Sequence, residues 1–223
     1  APDSAWLRHL VGPFQDSTVG AVAGRVVGAP PASTLELFSA LYSLQLPDRP
    51  ARNTRWTPWE GGYPTANFAA RRSLLQELKG FDESILIYGE DYDLCARLYA
   101  RGAEIAYVPE AQVAHYHRTT LPGLLRQAFG FGRSHPYLLR RHAACGLWVD
   151  LPRHSLLWSR CPVRAWVDLA SADKKMLAIV LLGALYGPVL LLLPLYTVWL
   201  AVAAGQRARR VGAHASPAAA VGL

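Results

Sequence analysis

The chain has 223 residues, 52% of them hydrophobic and 17% charged, with a formal charge of +7. That length allows one sizeable domain plus an appendage, and the apolar excess is more than a purely soluble domain carries. Three scattered cysteines (Cys95, Cys145, Cys161) exclude a disulfide framework and a zinc site. The positive charge clusters between Arg118 and Arg210 beside an apolar run, which points to an anionic membrane surface; no nucleic-acid module accompanies it, and nucleic acid is not an expected partner.

In chain order, Ser4 can cap a first helix whose apolar residues Trp6, Leu7, Leu10, Val11 and Phe14 recur at helical spacing. Val19 to Val27 is a Val-rich run suited to a buried strand, with Gly20 and Gly24 leaving room for a close approach. Ser33-Thr-Leu-Glu36 has capping-box spacing and opens a helix with Leu35, Phe38, Leu41 and Tyr42 on one stripe. From Pro47 to Pro64 the sequence is loop-like and carries Trp56 and Trp59, either a functional loop or an excursion packed back on the body. A helix through Leu74, Leu75 and Leu78 ends at Gly80, and another runs from about Asp91 to Arg101. Glu104 to Val108 alternates like a strand, Pro109 breaks it, and Val113 to His117 is a second extended piece. Helices interleaved with brief buried strands predict an α/β layer.

Pro122 suits the first turn of a further helix, and Arg126, Arg133, Arg140 and Arg141 with Trp148, Trp158 and Trp166 read as a basic juxtamembrane helical region. Met176 to Ala204 is about 43 Å long as a helix against about 30 Å of hydrocarbon. It is therefore expected in the membrane, as a tilted or kinked span or as two half-spans broken at Gly187-Pro188 or Pro194. Basic residues flank it on both sides (Lys174, Lys175, Arg207, Arg209, Arg210), so charge bias gives no clean orientation.

Five carboxylates, Asp82, Glu83, Glu90, Asp91 and Asp93, fall within a dozen residues. Acids in a first helical turn commonly serve its unpaired N–H groups. A carboxylate at a loop-to-helix edge of an α/β fold can also take a proton from a hydroxyl nucleophile. His115 and His117 share one face of an extended segment, where they can supply a metal ligand, contact phosphate or remain a hydrogen-bonded pair. Thr65, Asn67, Arg71 and Arg72 can bind a polar substrate, or Arg71-Arg72 can be a solvated helix start.

Taken together, Thr65-Ala-Asn-Phe-Ala-Ala-Arg-Arg72, Leu78-Lys-Gly-Phe-Asp-Glu83 and Gly89-Glu-Asp-Tyr-Asp-Leu94 form an ordered series with Arg97, Gly102, Tyr107-Val-Pro109 and Val113-Ala-His115. The series resembles the carboxy-terminal half of a family-2 glycosyltransferase catalytic domain, over roughly Ala1 to Arg141. The resemblance implies an α/β, partial GT-A (Rossmann-like) fold followed by a transmembrane or re-entrant segment. It implies inverting transfer from a nucleotide-sugar donor to a glycan or lipid-linked hydroxyl acceptor, with a divalent cation, Mg or Mn. Asp91 then matches the catalytic base and Glu90 its support. Thr65, Asn67, Asp82, Glu83 and Arg133 are candidate substrate contacts, and His115 a metal or diphosphate ligand with His117 the weaker candidate. Asp93 is a helix-surface or structural acid.

The implied domains are a catalytic part over 1–118, the basic juxtamembrane helical region over 119–175, a membrane segment over 176–206 and a flexible tail over 207–223. Localisation follows as membrane-bound, with the catalytic part facing the cytoplasm and membrane lipid as a partner. The chain starts at Ala1 without an initiating Met, and neither Asp3 nor Asp16 stands in the family's Asp-x-Asp metal motif. The stretch therefore reads as the acceptor- and base-bearing half, expected to bind donor poorly and turn over little by itself. Phe131-Gly-Arg133 occupies the place of the Gln-x-x-Arg-Trp motif of processive synthases, which favours single-sugar transfer. The alternative is a non-catalytic membrane-anchored scaffold on a degenerate transferase fold.

Overall fold

The computed structural model describes residues 5–44, 46–58, 60–85, 88–151, 155–169 and 172–214; Ser4 and Trp59 lie outside these. The chain divides into two compact units, Ala1–Ala144 and Cys145–Leu223.

The first unit is built on a four-stranded sheet in the order β2-β4-β1-β3. Its strands are β1 (Val19–Gly28), β2 (Ala51–Asn53), β3 (Phe68–Ala70) and β4 (Glu104–His115). β1 and β4 run parallel at the centre, and β3 and β2 add antiparallel to them on either side. Ala21 and Ala23 of β1 face α4 (Glu90–Ala100), where Leu94, Cys95, Leu98 and Tyr99 complete one apolar cluster with Ile105 and Tyr107. Val19 and Val22 face the other way, onto Leu10 of α1 (Trp6–Val11) with Ala106 and Ala111. This is the alternation a sheet buried on both faces requires. The expected α/β layer, followed by an apolar helical segment, is observed.

Local signals set several boundaries. Ser33 Oγ accepts from the Glu36 N–H, and Glu36 Oε2 accepts from the Ala32 N–H at 2.6 Å, opening α2 (Thr34–Tyr42). α3 (Arg72–Glu77) closes through Lys79 and Gly80, both at positive φ. Gly89, at φ +99°, starts α4, and a Cβ there would come within 3.0 Å of Ser134. Only glycine combines that conformation with so close a neighbour. Cys95 is fully buried, as its apolar helical setting implied.

Three expectations are corrected. The Pro47–Pro64 segment is not all loop, because β2 pairs with β4 and Trp56 packs against the core. Pro109 does not end its strand. β4 continues past it, with Pro109 to Ala111 unmatched where Gly24 pairs with Val108 and Arg25 with Gln112. Finally, the region 119–175 is helical only through α5 (Leu121–His142) and from Ala172 on, and α5 belongs to the first unit, which extends well beyond residue 118.

In the second unit β5 (Gly146–Asp150), β6 (Ser155–Trp158) and β7 (Arg164–Asp168) form a sheet in the order β6-β5-β7, where helix was expected. Then come α6 (Ala172–Leu185), a 3₁₀ turn (Gly187–Leu191) and α7 (Leu192–His214). The break falls at Gly187-Pro188. Pro194 lies in the first turn of α7, where its missing N–H costs nothing. Gly187–Gln206 has a mean hydropathy of 1.9 and is long and apolar enough to cross a membrane; at 20 residues it matches about 30 Å of hydrocarbon. The tail expected from 207 is helical as far as His214, and residues 215–223 lie outside the described ones.

The tie that fixes α4 is polar. Asp93 is fully buried and its Oδ2 accepts from Arg97 Nε at 2.6 Å. Nε2 of His142, at the end of α5, lies 2.7 Å from Oδ1 and must carry a proton to meet a carboxylate. Arg97 also donates to the carbonyls of Leu78 and Gly80. Burial opposes the charge on Asp93, but the His142 and Arg97 hydrogen bonds, with the charges of Arg97 and Arg141, hold its carboxyl below the usual range. Asp93 is thus an interior acid rather than a helix-surface one. Asp93→Ala strands Arg97 and His142 and is expected to cost about 3–5 kcal/mol, read as a shift in the denaturant midpoint of the intact protein; a loss below about 1 kcal/mol would show that this tie does not hold α4.

Candidate active site

A cleft of about 430 Å³ opens where α2, the start of α4 and α5 meet. Glu90 and Asp91 both line it, carried by the first turn of α4, and Tyr88 and Gly89 form its lip. α5 supplies Leu124, Gln127, Ala128, Phe131, Ser134 and His135, at i, i+3, i+4, i+7, i+10 and i+11 along one face. α2 supplies Phe38, Ser39 and Tyr42.

Asp91 is half-buried. Its Oδ1 accepts from the Tyr92 N–H at 2.9 Å, and the backbone N–H groups of Thr65 and of Asp91 itself also favour its charged form. Burial works against the charge, and Glu90 beside it adds like-charge repulsion; together they push the Asp91 carboxyl up to about 6. A carboxyl so tuned is ionised at neutral pH yet basic enough to take a proton from a hydroxyl in the cleft. Two residues along, and on the far side of the same helix, Asp93 is pushed the opposite way.

A second cavity of about 220 Å³ is lined by His115, Tyr116, His117 and Arg118, and shares Ser43, Leu44 and Gln127 with the cleft. The His115 and His117 ring centroids are 5.2 Å apart. His115 Nδ1 and His117 Nε2 are buried without a hydrogen-bond partner, and burial followed by the nearby His115 keeps His117 below its usual range. Buried, unpartnered ring nitrogens suit a cation, but among the described residues no group of three His, Cys, Asp or Glu converges. The pair can thus contribute part of a metal site.

Other sequence candidates fall elsewhere. Asn67 is buried and spent: Oδ1 accepts from Trp6 Nε1, while Nδ2 donates to the carbonyls of Arg25 and Ala111. It plugs the irregularity in the β1–β4 ladder, with both amide hydrogens taken up inside the fold. Thr65 reaches the site through its backbone N–H to Asp91. Arg71 donates to the carbonyls of Val19, Phe14 and Asp16 and is likewise structural. Asp82 closes a turn on Ser84 and pairs with Arg141; hydrogen bonds from Ser84, then Arg141, hold its carboxyl far below its usual range. Neither Asp82 nor the exposed Glu83 lines the cleft. Arg133 lies over the Phe129 ring, off the cleft-lining face of α5.

Sequence reasoning missed the α5 wall, although the spacing of Leu124, Gln127, Ala128 and Phe131 is legible as a helical stripe. It also missed His142, for which no local signal exists.

A family profile described as "Glycosyl transferase family group 2" matches residues 51–205. The chain is 36% identical over 144 residues to the pre-mycofactocin glycosyltransferase of Mycobacterium tuberculosis, covering 62% of this chain and 30% of that protein. It is 29% identical over 151 residues to the O-antigen chain rhamnosyltransferase RfbN of Salmonella typhimurium, covering 66% and 45%. With the probable glycosyltransferase YdaM of Bacillus subtilis it shares 29% identity over 147 residues, 64% of this chain and 34% of that one. The chain thus spans less than half the length of each of these relatives. No solved structure gives a significant match. The profile covers well over half of the chain, which therefore belongs to the family-2 glycosyltransferases.

Proposed function

We propose that this chain carries the acceptor side and catalytic base of an inverting sugar transfer from a nucleotide-sugar donor to a hydroxyl acceptor at a membrane. The observation that carries the reading is Asp91, a half-buried carboxylate in a cleft with its carboxyl raised to about 6. Asp91 takes the acceptor hydroxyl proton as the hydroxyl oxygen bonds to the anomeric carbon. The bond from that carbon to the diphosphate breaks on the opposite face, and the nucleoside diphosphate leaves with the electron pair. Glu90 keeps Asp91 basic, and the Thr65 and Tyr92 N–H groups orient it.

His115 and His117 would hold part of a divalent cation, Mg or Mn, whose charge would offset that of the leaving diphosphate. The relatives extend far beyond this stretch, and the remaining ligands and the nucleotide site are expected outside it.

Membrane association is supported by Gly187–Gln206 and, independently, by α5, whose Leu121, Leu125 and Phe129 are 56%, 59% and 68% exposed in one stripe beside Arg126 and Arg133. Such a face suits the headgroup boundary. The cytoplasm is the expected side, because nucleotide sugars are the donors.

Asp91→Asn in the intact protein is expected to lower sugar transfer by about 10²–10⁴-fold, measured as released nucleoside diphosphate; transfer that survives removes Asp91 as the base. The same change should stabilise the fold. A carboxyl whose folded pKa is raised binds its proton more tightly in the native state, so stability falls as pH rises from about 4 to about 6 and the deficit is full above that. Discounted for partial exposure, the gain for Asp91→Asn at pH 8 is about 1–2 kcal/mol, read by thermal unfolding. The pH profile of kcat/KM should rise to a plateau through about pH 6, and Glu90→Gln should move that limb to lower pH by removing the like charge.

A further inference from the structure

Resting on the membrane-bound reading above, we infer that the small sheet of the second unit is a lipid-docking surface in its own right, whose apolar face lies on the headgroup boundary of an anionic phospholipid leaflet. Register decides which side chains share a face. Leu147 of β5 pairs with Trp158 of β6 and Ala165 of β7, and Val149 pairs with Leu156 and Val167. These six make one face, and none of them is charged or carries a hydroxyl or amide. The other face carries Trp148, Leu157 and Trp166 together with Asp150, Ser155, Arg164 and Asp168, and there Ser155 Oγ donates to Asp150 Oδ1 at 2.8 Å. A sheet with one face in water turns its polar residues to that face. Here the apolar face is the open one: Trp158 is 63% exposed, Leu156 54% and Val167 41%. A contiguous apolar surface of this kind marks a place of contact.

Its position in the chain says what covers it. β7 ends at Asp168 and α6 begins at Ala172, so four Cα steps keep the sheet within about 15 Å of that helix. α6 exposes Leu177, Val180, Leu181, Leu182 and Leu185 around more than half of its circumference, the pattern of a helix surrounded by hydrocarbon, and it leads into the Gly187–Gln206 span. Lys175, near its start, marks the headgroup level. The sheet is thus tethered at the depth where Trp, with an apolar body and an N–H handle, is favoured. It cannot sink further. β6 is an outer strand with a ladder on one side only, and hydrocarbon leaves the backbone groups of such an edge unsatisfied. Charge agrees with this placement: Arg160, exposed in the turn after Trp158, stands at the end of the sheet remote from Asp150 and Asp168, where it meets headgroup phosphate.

The test labels the two sides of one strand. In the intact protein carrying Cys145→Ser and Cys161→Ser, with Cys95 buried and unreactive, Leu156→Cys places a nitrobenzoxadiazole label on the apolar face and Leu157→Cys places it on the other. In phosphatidylcholine–phosphatidylglycerol vesicles the label at 156 is expected to be quenched by doxyl-labelled lipid, and severalfold less than the label at 157 by aqueous iodide. Arg160→Gln should raise iodide access at 156 by lowering the docked-to-free ratio about 5-fold, and vesicles of phosphatidylcholine alone should raise it too. Equal iodide access at the two positions overturns the inference, as does shielding at 156 without doxyl quenching, which would mean that protein covers the face. Shielding indifferent to both lipid charge and Arg160→Gln overturns it as well. Where Leu156→Cys shifts the unfolding midpoint, the loss of brominated-lipid quenching in Trp158→Phe relative to the unaltered chain reads the same contact, and no loss counts against it. Each of these failures leaves the membrane-bound reading standing if the protein stays with the vesicles through alkaline carbonate, whereas release into the supernatant defeats that reading and the inference with it.

Discussion

Everything about the site depends on a buried ion pair that points away from it. Asp93, sealed in the interior, holds Arg97 on its own helix and His142 at the far end of α5, while Arg97 reaches back to the carbonyls of Leu78 and Gly80. Two separate stretches, the end of α5 and the chain from Leu78 to Gly80, are thereby fixed to α4. A lone buried carboxylate would be driven to its neutral form. With Arg97 on Oδ2 and Arg141 3.4 Å from Oδ1 it stays ionised, and the position of α4 relative to α5 is set by hydrogen-bond geometry as well as packing. Asp91 needs that rigidity, because the other wall of its cleft is α5.

The two acids show how one helix turn sustains opposite electrostatics. They are about 200° apart around the helix axis, given 100° per residue. Asp93 faces Arg97 and Arg141 and is held below its usual range; Asp91 is half-buried with Glu90 alongside and is raised to about 6. Gly89 completes the arrangement by letting the chain enter the helix at positive φ directly against Ser134.

What was legible in the sequence was local. The Ser33 capping box, the Val-rich β1, the Gly80 terminus and α4 each follow from residues within a few positions of one another, and the order of motifs around Glu90-Asp91 was specific enough to point to the family. What was not legible depended on partners far along the chain. Asn67 reads as a polar ligand residue because its real partners, the carbonyls of Arg25 and Ala111, lie 42 and 44 residues away. Pro109 reads as a strand breaker because the bulge that accommodates it is defined by the register of β1. β2 is three residues long and is a strand only because β4 offers it an edge. The Arg- and Trp-rich stretch after α5 suggested an interfacial helix by composition, yet Gly146–Asp150, Ser155–Trp158 and Arg164–Asp168 pair as strands, a choice made by cross-strand partners such as Trp148 and Trp166 rather than by intrinsic preference.

The layout of charge around the cleft explains why a base can be left uncompensated there. A diphosphate and a general base make contrary demands: the first is offset by positive charge, while the second loses basicity beside it. Placing both functions in one cavity would force a compromise. Here Arg118 and the two histidines occupy one cavity and the carboxylates the other, with Ser43, Leu44 and Gln127 between them. None of those three carries a formal charge, so the wall neither screens the histidines nor neutralises Asp91. Burial beyond the wall raises the Asp91 carboxyl by keeping water from it.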